Sequence, residues 1–263
     1  MRGQFVAERL WPMIIDQLCD LVLPASRGRS VSDVRVGLGY TAVQLDGGGC
    51  GLAYTFRNET SEGCCVIREA GTLTGREASD LAEWARSRDP VVCAVGLATL
   101  NALIAVPASA AEADLANQLQ ITSNDVLGMV GYFGPLVEPL RRRVKALHIF
   151  ERRPNADSGV LPETAAADVL PQCEVVILSA TTLLNRTLDH LLDLCRNARE
   201  VAILGPSTPF APEGFVNRGV TLLSGVHVVN PERVLRVVSE GGGTRQFGAA
   251  AKKVTIRLAS RRS

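Results

Sequence analysis

The chain has 263 residues, is 46% hydrophobic and 21% charged, and carries a formal net charge of +1. That is enough for two modest domains with real cores, and it excludes a disordered chain. Aromatic residues make up 5% and do not interleave with the scattered Lys and Arg, which speaks against a nucleic-acid partner.

From the start, residues 5–23 place Glu8, Arg9, Asp16 and Asp20 among apolar residues at helical spacing. This predicts an amphipathic helix and argues against a cleaved leader. Strand-like runs follow at 33–45, 51–56 and 64–68. Glycine turns at 47–49 and 62–63 separate them, the pattern of an antiparallel meander. Thr74 and Glu77 have capping-box spacing and open a helix to about residue 86. Residues 91–111 carry no charge, a length that raises a membrane span. Gly96, Thr99 and Asn101 interrupt it and Pro107 ends any helix, so a buried helix with no membrane contact is predicted. Strands followed by helices predict an α+β domain over residues 1–110. Residues 108–125, rich in Ala, Ser, Asn and Gln, read as the connection.

The remainder alternates. Strands are predicted at 126–131, 146–150, 174–179, 200–204 and 220–223, with a last one at 254–258. Helices are predicted at 135–143, 163–170, 185–197 and 231–240. Short continuous apolar strands between helices imply a parallel sheet covered on both faces, a Rossmann-like domain over residues 111–263.

Three loops after these strands carry the candidate chemistry. The first reads Gly128-x-x-Gly131-x-x-Gly134, with Met129 where the dinucleotide fingerprint has its first glycine. Gly131 lets backbone approach a ligand, and Pro135 leaves the free N–H groups of the helix start facing the site. Glu151 follows at the spacing of a ribose-binding acid, while the missing glycine counts against NAD. The second loop gathers Ser179, Thr181, Thr182, Asn185 and Thr187 beyond the third strand; helix capping accounts for one of these residues, not all. The third, residues 205–209, presents Ser207 and Thr208 between two prolines and has no base in sequence context for a serine nucleophile. Earlier in the chain, Thr41, Thr55 and Asn101 stand out as polar residues among apolar neighbours. The triplet Arg141, Arg142 and Arg143 fits a solvated helix end. Seven cysteines follow no framework spacing, and His148, His190 and His227 are far apart. Adjacent Cys64 and Cys65 would point to opposite faces of a strand, so a Cys/His zinc site is not expected.

Taken together, the segments resemble the two-domain family known as "putative heavy-metal chelation" proteins. The matching pieces include residues 36–43, 51–55 and 98–103, and later 130–133, 150–152, 179–187, 204–209 and 239–244. The resemblance implies an α/β fold in which an enolase-N-terminal-like α+β domain precedes the Rossmann-like domain. It also implies a ligand site between the domains, lined by Thr41, Thr55, Asn101, Gly131, Glu151, Thr182, Asn185, Thr187, Ser207 and Thr208. Soft metals prefer Cys and His, so such a lining better suits a small polar or anionic ligand, or a metal already held by a chelator. The competing reading is an enzyme with a nucleotide-type cofactor, S-adenosylmethionine ahead of NAD. No catalytic residue is assigned, and the expected cofactor is a divalent metal ion or S-adenosylmethionine. A cytoplasmic protein with reduced thiols is expected, and a homodimer is the general prior.

Overall fold

The computed structural model describes residues 12–59, 65–154 and 159–258. Its first element, α1 (Ile14–Val22), turns Ile14, Ile15, Leu18, Cys19 and Val22 inward. The part of this helix expected at residues 5–11 lies outside the described residues. No local side chain caps α1; the Ile14 N–H donates instead to the Asp189 carboxylate at 3.3 Å, far along the chain. Asp189 also pairs with Arg218 at 2.8 Å, so one carboxylate ties the helix start to the second half of the molecule.

Strands β1 (Val31–Val36), β2 (Tyr40–Leu45) and β3 (Cys50–Tyr54) form an antiparallel sheet. The single strand expected over 33–45 is thus a hairpin. The Gly37 N–H donates to Tyr40 O at 2.9 Å across the turn, and a Cβ at Gly37 would lie 2.2 Å from the Val238 carbonyl oxygen. Only a glycine admits backbone so close. The strand expected at 64–68 is also corrected: residue 64 is not described, and 66–71 form bends and turns. Local bonds from Ala70 N–H to Ile67 O and from Thr72 N–H to Glu69 O replace sheet pairing there. Helix α2 (Ala78–Ala82) runs on as a 3-10 turn to Arg86. The Thr74–Glu77 box does not form; Glu77 stands at the cap position without a side-chain bond. Helix α3 (Pro90–Leu103) starts where the Asp89 carboxylate accepts the Val91 and Val92 N–H groups. It buries ten of its residues and stops before Pro107, as a buried helix should. Among the described residues, no helix is long and apolar enough to cross a membrane.

The expected connection holds a short helix, α4 (Leu115–Gln118). Then come β4 (Val126–Val130), α5 (Gly134–Arg141), β5 (Ala146–Glu151), β6 (Leu161–Pro162), α6 (Ala166–Val169), β7 (Val175–Ser179), α7 (Thr181–Leu184), α8 (Leu188–Leu194), β8 (Glu200–Leu204), β9 (Leu222–Val228), α9 (Pro231–Ser239), α10 (Thr244–Phe247) and β10 (Ala251–Arg257). The seven strands lie in the order β10-β9-β8-β7-β4-β5-β6, all parallel except β10, which runs antiparallel to β9. Strand β4 starts the sheet from its interior, and the chain winds outward from it first to β5 and β6, then back across to β7 and β8. This is the strand order of a Rossmann-type sheet, whose switch point lies at the carboxyl ends of β4 and β7. The protein is therefore α/β, with a separate small antiparallel sheet.

Period-two alternation divides the parallel strands between two cores. Val176 and Leu178 join one cluster with α1, α3, α7 and α8, while Val175 and Ile177 join another with α4 and α5. The small sheet is covered twice. Val43 and Ala53 face α3, while Ala42 and Leu52 pack against Val234, Leu235, Val237 and Val238 of α9. A helix from the end of the chain thus covers the outer face of the first sheet.

Two further expectations are corrected. The helix expected over 185–197 is shorter, α8 over Leu188–Leu194, and is separated from α7 because Arg186 takes a left-handed φ of +63° between them. Its guanidinium reaches the Ala85 and Ser87 carbonyls, each at 2.9 Å, and this long-range pair of bonds holds the break open. Strand β9 is longer than predicted because β10 pairs along all seven of its residues.

Candidate functional site

The carboxyl ends of β4, β5, β7 and β8 face the small sheet across a cavity of about 400 Å³. Gly131, Glu151, Thr182, Asn185 and Ser207, five of the residues singled out in the sequence, line it. At Gly131 the backbone has φ +97°, and a Cβ would sit 2.9 Å from the Ser179 Cβ. The glycine therefore lets β4 and β7 converge at the switch point. Met129, at the position of the absent fingerprint glycine, is fully buried in the α5-side core. There β4 simply continues as a strand, so the tight turn of a dinucleotide loop is not made.

Glu151 ends β5 and accepts the Tyr132 N–H on one carboxylate oxygen. This bond clamps the glycine loop and occupies half of the acid expected to bind a ribose. The ring of Tyr132 lies over Gly134 at the start of α5, where a Cβ would be 3.3 Å from it.

On the β7 side, Thr182 Oγ1 donates to Ser179 O at 2.6 Å, and the Ser179 and Thr181 hydroxyls bond each other at 2.8 Å. Asn185 Oδ1 accepts from the Thr187 N–H at 3.2 Å and the Thr187 hydroxyl at 2.8 Å. Thr187 therefore orients the Asn185 amide and does not itself line the cavity. Ser207, 1% exposed, accepts the Tyr54 N–H at 2.8 Å and fastens the β8 loop to the small sheet.

Besides Thr187, four expected residues lie elsewhere. Thr41 and Thr55 are buried and share a hydroxyl–hydroxyl bond of 3.0 Å behind the Tyr40 and Tyr54 wall. Asn101 and Thr208 line a second cavity, about 320 Å³, on the other side of the Pro206–Ser207 backbone. Asn101 Nδ2 donates to Leu52 O at 2.8 Å and to Ser207 O at 3.3 Å, while Thr208 donates to Ser224 O at 2.9 Å. These four residues hold the walls in register. A larger depression, about 690 Å³, runs between β1 and α9. It lies away from the strand ends and is lined largely by charged and polar side chains such as Asp33, Arg35, Gln44 and Glu232.

Sequence reasoning missed the rest of the lining. Tyr40, Tyr54 and Phe56 come from the small sheet, and Tyr132, Phe133 and Phe150 from the parallel one. Tyr54 and Phe56 meet edge to face at 5.1 Å, as do Tyr40 and Tyr54 at 6.1 Å. Burial raises the Tyr40 hydroxyl above its ordinary pKa. Arg152 and Glu163 also line the cavity. Arg152 pairs with Glu59 and lies 3.6 Å from Glu163. Burial pushes the Glu163 carboxyl up; Arg152 counteracts, while Glu151 and Glu59 add to the rise. Helix-start and turn positions had hidden these acids in the sequence.

The donor set does not suit a bare metal ion. Among the described residues, no group of three or more His, Cys, Asp and Glu side chains is placed to hold one. The thiols do not compensate. Burial pushes Cys19, Cys50 and Cys195 up to about 12, and Cys93 and Cys173 to about 11. None of these thiols lines the switch-point cavity. In Ellman titration of the native protein, Cys19, Cys93, Cys173 and Cys195 should stay protected, while exposed Cys65 reacts at once. Rapid reaction of all thiols before unfolding would contradict the buried assignments.

Two family models match the chain. Both carry the description "Putative heavy-metal chelation", one over residues 19–104 and the other over residues 114–257. An uncharacterized protein of Methanocaldococcus jannaschii is 31% identical over 147 residues, which is 54% of this chain and 57% of that protein. The match thus spans little more than half the length of that relative. A solved DUF364-family structure from Desulfitobacterium hafniense is 26% identical with a TM-score of 0.77, covering 92% of this chain and 98% of that one. Another, from Pyrococcus horikoshii, is 23% identical with a TM-score of 0.81, covering 94% and 100%.

Proposed function

Because the chain belongs to the family described as "Putative heavy-metal chelation", we propose that it binds a small polar ligand at the sheet switch point, and that any metal arrives already held by a chelator. The observation that carries this reading is the cavity itself. Gly131, Glu151, Thr182, Asn185 and Ser207 converge there from four separate segments, at the rim where α/β sheets take ligands. Its lining offers hydroxyls, amides and carboxylates but no soft donors, so a chelate that brings its own ligating atoms fits where a naked soft ion does not. The reading takes residues 1–110 and 111–263 as two domains that close on the ligand. The two separate family matches, with a gap between residues 104 and 114, support that division.

Calorimetric titration tests it. Nickel or zinc chloride alone should bind more weakly than about millimolar, roughly 4 kcal/mol, while the same ion presented as its histidine chelate should bind more tightly. Tight binding of the bare ion would overturn the chelate reading, and no binding of either form would sink the metal part.

The second reading is an enzyme with a nucleotide-type cofactor, favoured by Glu151 at the end of β5 beside the glycine loop. Met129 stands buried in β4 where a dinucleotide loop needs its first glycine, which keeps S-adenosylmethionine ahead of NAD. A heat of binding with S-adenosylmethionine in the same calorimeter would favour this reading; its absence removes the support.

A further inference from the structure

All three tyrosines of the chain and three of its seven phenylalanines line the one switch-point cavity. In a protein only 5% aromatic, this places half of the Phe, Tyr and Trp side chains around a single space. The rings come from both sheets, so no single core needs them together. The face of an aromatic ring carries the negative side of its quadrupole, and the edge-to-face pairs Tyr40–Tyr54 and Tyr54–Phe56 set rings in two orientations around the space. At one end of the same cavity stand Glu151 and Glu163, with Glu59 behind them, and Arg152 among them. Three carboxylates therefore gather there with one guanidinium, which contacts Glu59 and Glu163. Arg152 is spoken for by Glu59 and Glu163, and it also lies 6.0 Å from the Phe56 ring centroid. The excess negative charge near the cavity has no further cationic partner among the described lining residues.

Resting on the reading of this cavity as the ligand site, we propose that its ligand is a cation with a flat or apolar body: an amine-bearing small molecule, or a metal chelate of net positive charge. The body lies against the tyrosines, and the positive group is accepted by Glu151 and Glu163. The arrangement combines the two features that select ammonium groups, aromatic faces and partly desolvated carboxylates. It also turns aside the anionic ligand that the serine and threonine loops suggested, since an anion would meet Glu151 and Glu163 at close range.

A matched trio of probes tests the charge directly. Tyramine, 4-ethylphenol and 3-(4-hydroxyphenyl)propionate share a ring and differ in charge. Saturation-transfer NMR and calorimetry on the full chain should show tyramine binding roughly tenfold more tightly than the neutral phenol, with the propionate weakest. Glu163→Gln should cut the preference for tyramine over the phenol several-fold. Glu59→Gln serves as the second variant should Glu163→Gln lower the melting temperature. Equal or tighter binding of the phenol or the propionate overturns the charge inference and leaves the cavity reading intact. No binding by any of the three overturns it too, and the chelate titration then judges the cavity reading separately.

Discussion

Replacing Gly51 by valine is expected to leave no stably folded protein, and Gly51→Ala to cost about 3 kcal/mol or more, at the upper end of the cost of overpacking a core. A Cβ at Gly51 would lie 2.1 Å from the Ala98 carbonyl oxygen, 2.3 Å from the Ala102 nitrogen and 2.7 Å from the Asn101 carbonyl carbon. All three atoms are backbone of α3, so no side chain can swing aside; the helix itself must lift from β3. That contact joins the uncharged helix to the small sheet, and it also sets Asn101 in reach of Leu52 O and Ser207 O. Against a total stability of about 5–15 kcal/mol, the loss is decisive. Gly47 supplies the control. It has φ +75° and nothing within 4 Å of a would-be Cβ. Gly47→Ala should therefore cost only the left-handed backbone penalty, about 1–2 kcal/mol. Urea midpoints of the two variants measure the difference, and equal midpoints would contradict the close packing of α3 on β3.

The second large effect is expected at Asp125, at the opposite end of the parallel sheet from the cavity. Its carboxylate is 4% exposed and holds Arg199 through two bonds of 2.9 and 2.6 Å. It also accepts the Thr122 N–H at 2.6 Å. The Arg199 guanidinium, followed by the Thr122 N–H, holds this carboxyl down at about 2. Removing one partner of a buried pair costs about 3–5 kcal/mol. The Arg199 side chain is 40% exposed and can turn to water, so Asp125→Ala should cost about 2–3 kcal/mol at pH 7. The pH dependence follows from the depressed value. The contribution is complete above the ordinary carboxylate range near pH 4 and is lost as pH falls through about 2. The gap between wild type and Asp125→Asn should therefore narrow between about pH 4 and pH 2. A gap that stays constant over that window would show that the charge of Asp125 contributes nothing.

The parallel sheet was legible in the sequence because its strands are short, apolar and fully covered. Residues 126–130 and 175–179 are buried on both faces, so their composition alone marks them. Failures came where distant contacts overrode local pattern. Gly37 reads as a strand residue until α9 arrives above it, and Arg186 reads as helical until Ala85 and Ser87 capture its guanidinium. The site divides in the same way. Gly131, Glu151, Thr182, Asn185 and Ser207 could be found because each follows a strand end, where ligands bind in such sheets. Thr41, Thr55 and Thr187 looked alike in sequence but spend their hydroxyls on one another or on Asn185. The aromatic wall and Glu163 were out of reach, because Tyr40, Tyr54 and Tyr132 come together only when the two sheets meet. No spacing along the chain records that encounter.

The switch-point cavity, and not the buried thiols of Cys173 and Cys195, is expected to receive the ligand. Backbone amide shifts of the labelled protein, recorded while the zinc–histidine chelate is added, test it most directly. The amides of Gly131, Tyr132, Thr181, Thr182 and Ser207 are expected to move together and to saturate with one affinity. Shifts confined to the surroundings of Cys173 and Cys195, or to Gly47, Gly48 and Gly49 beside the second cavity, would contradict the claim.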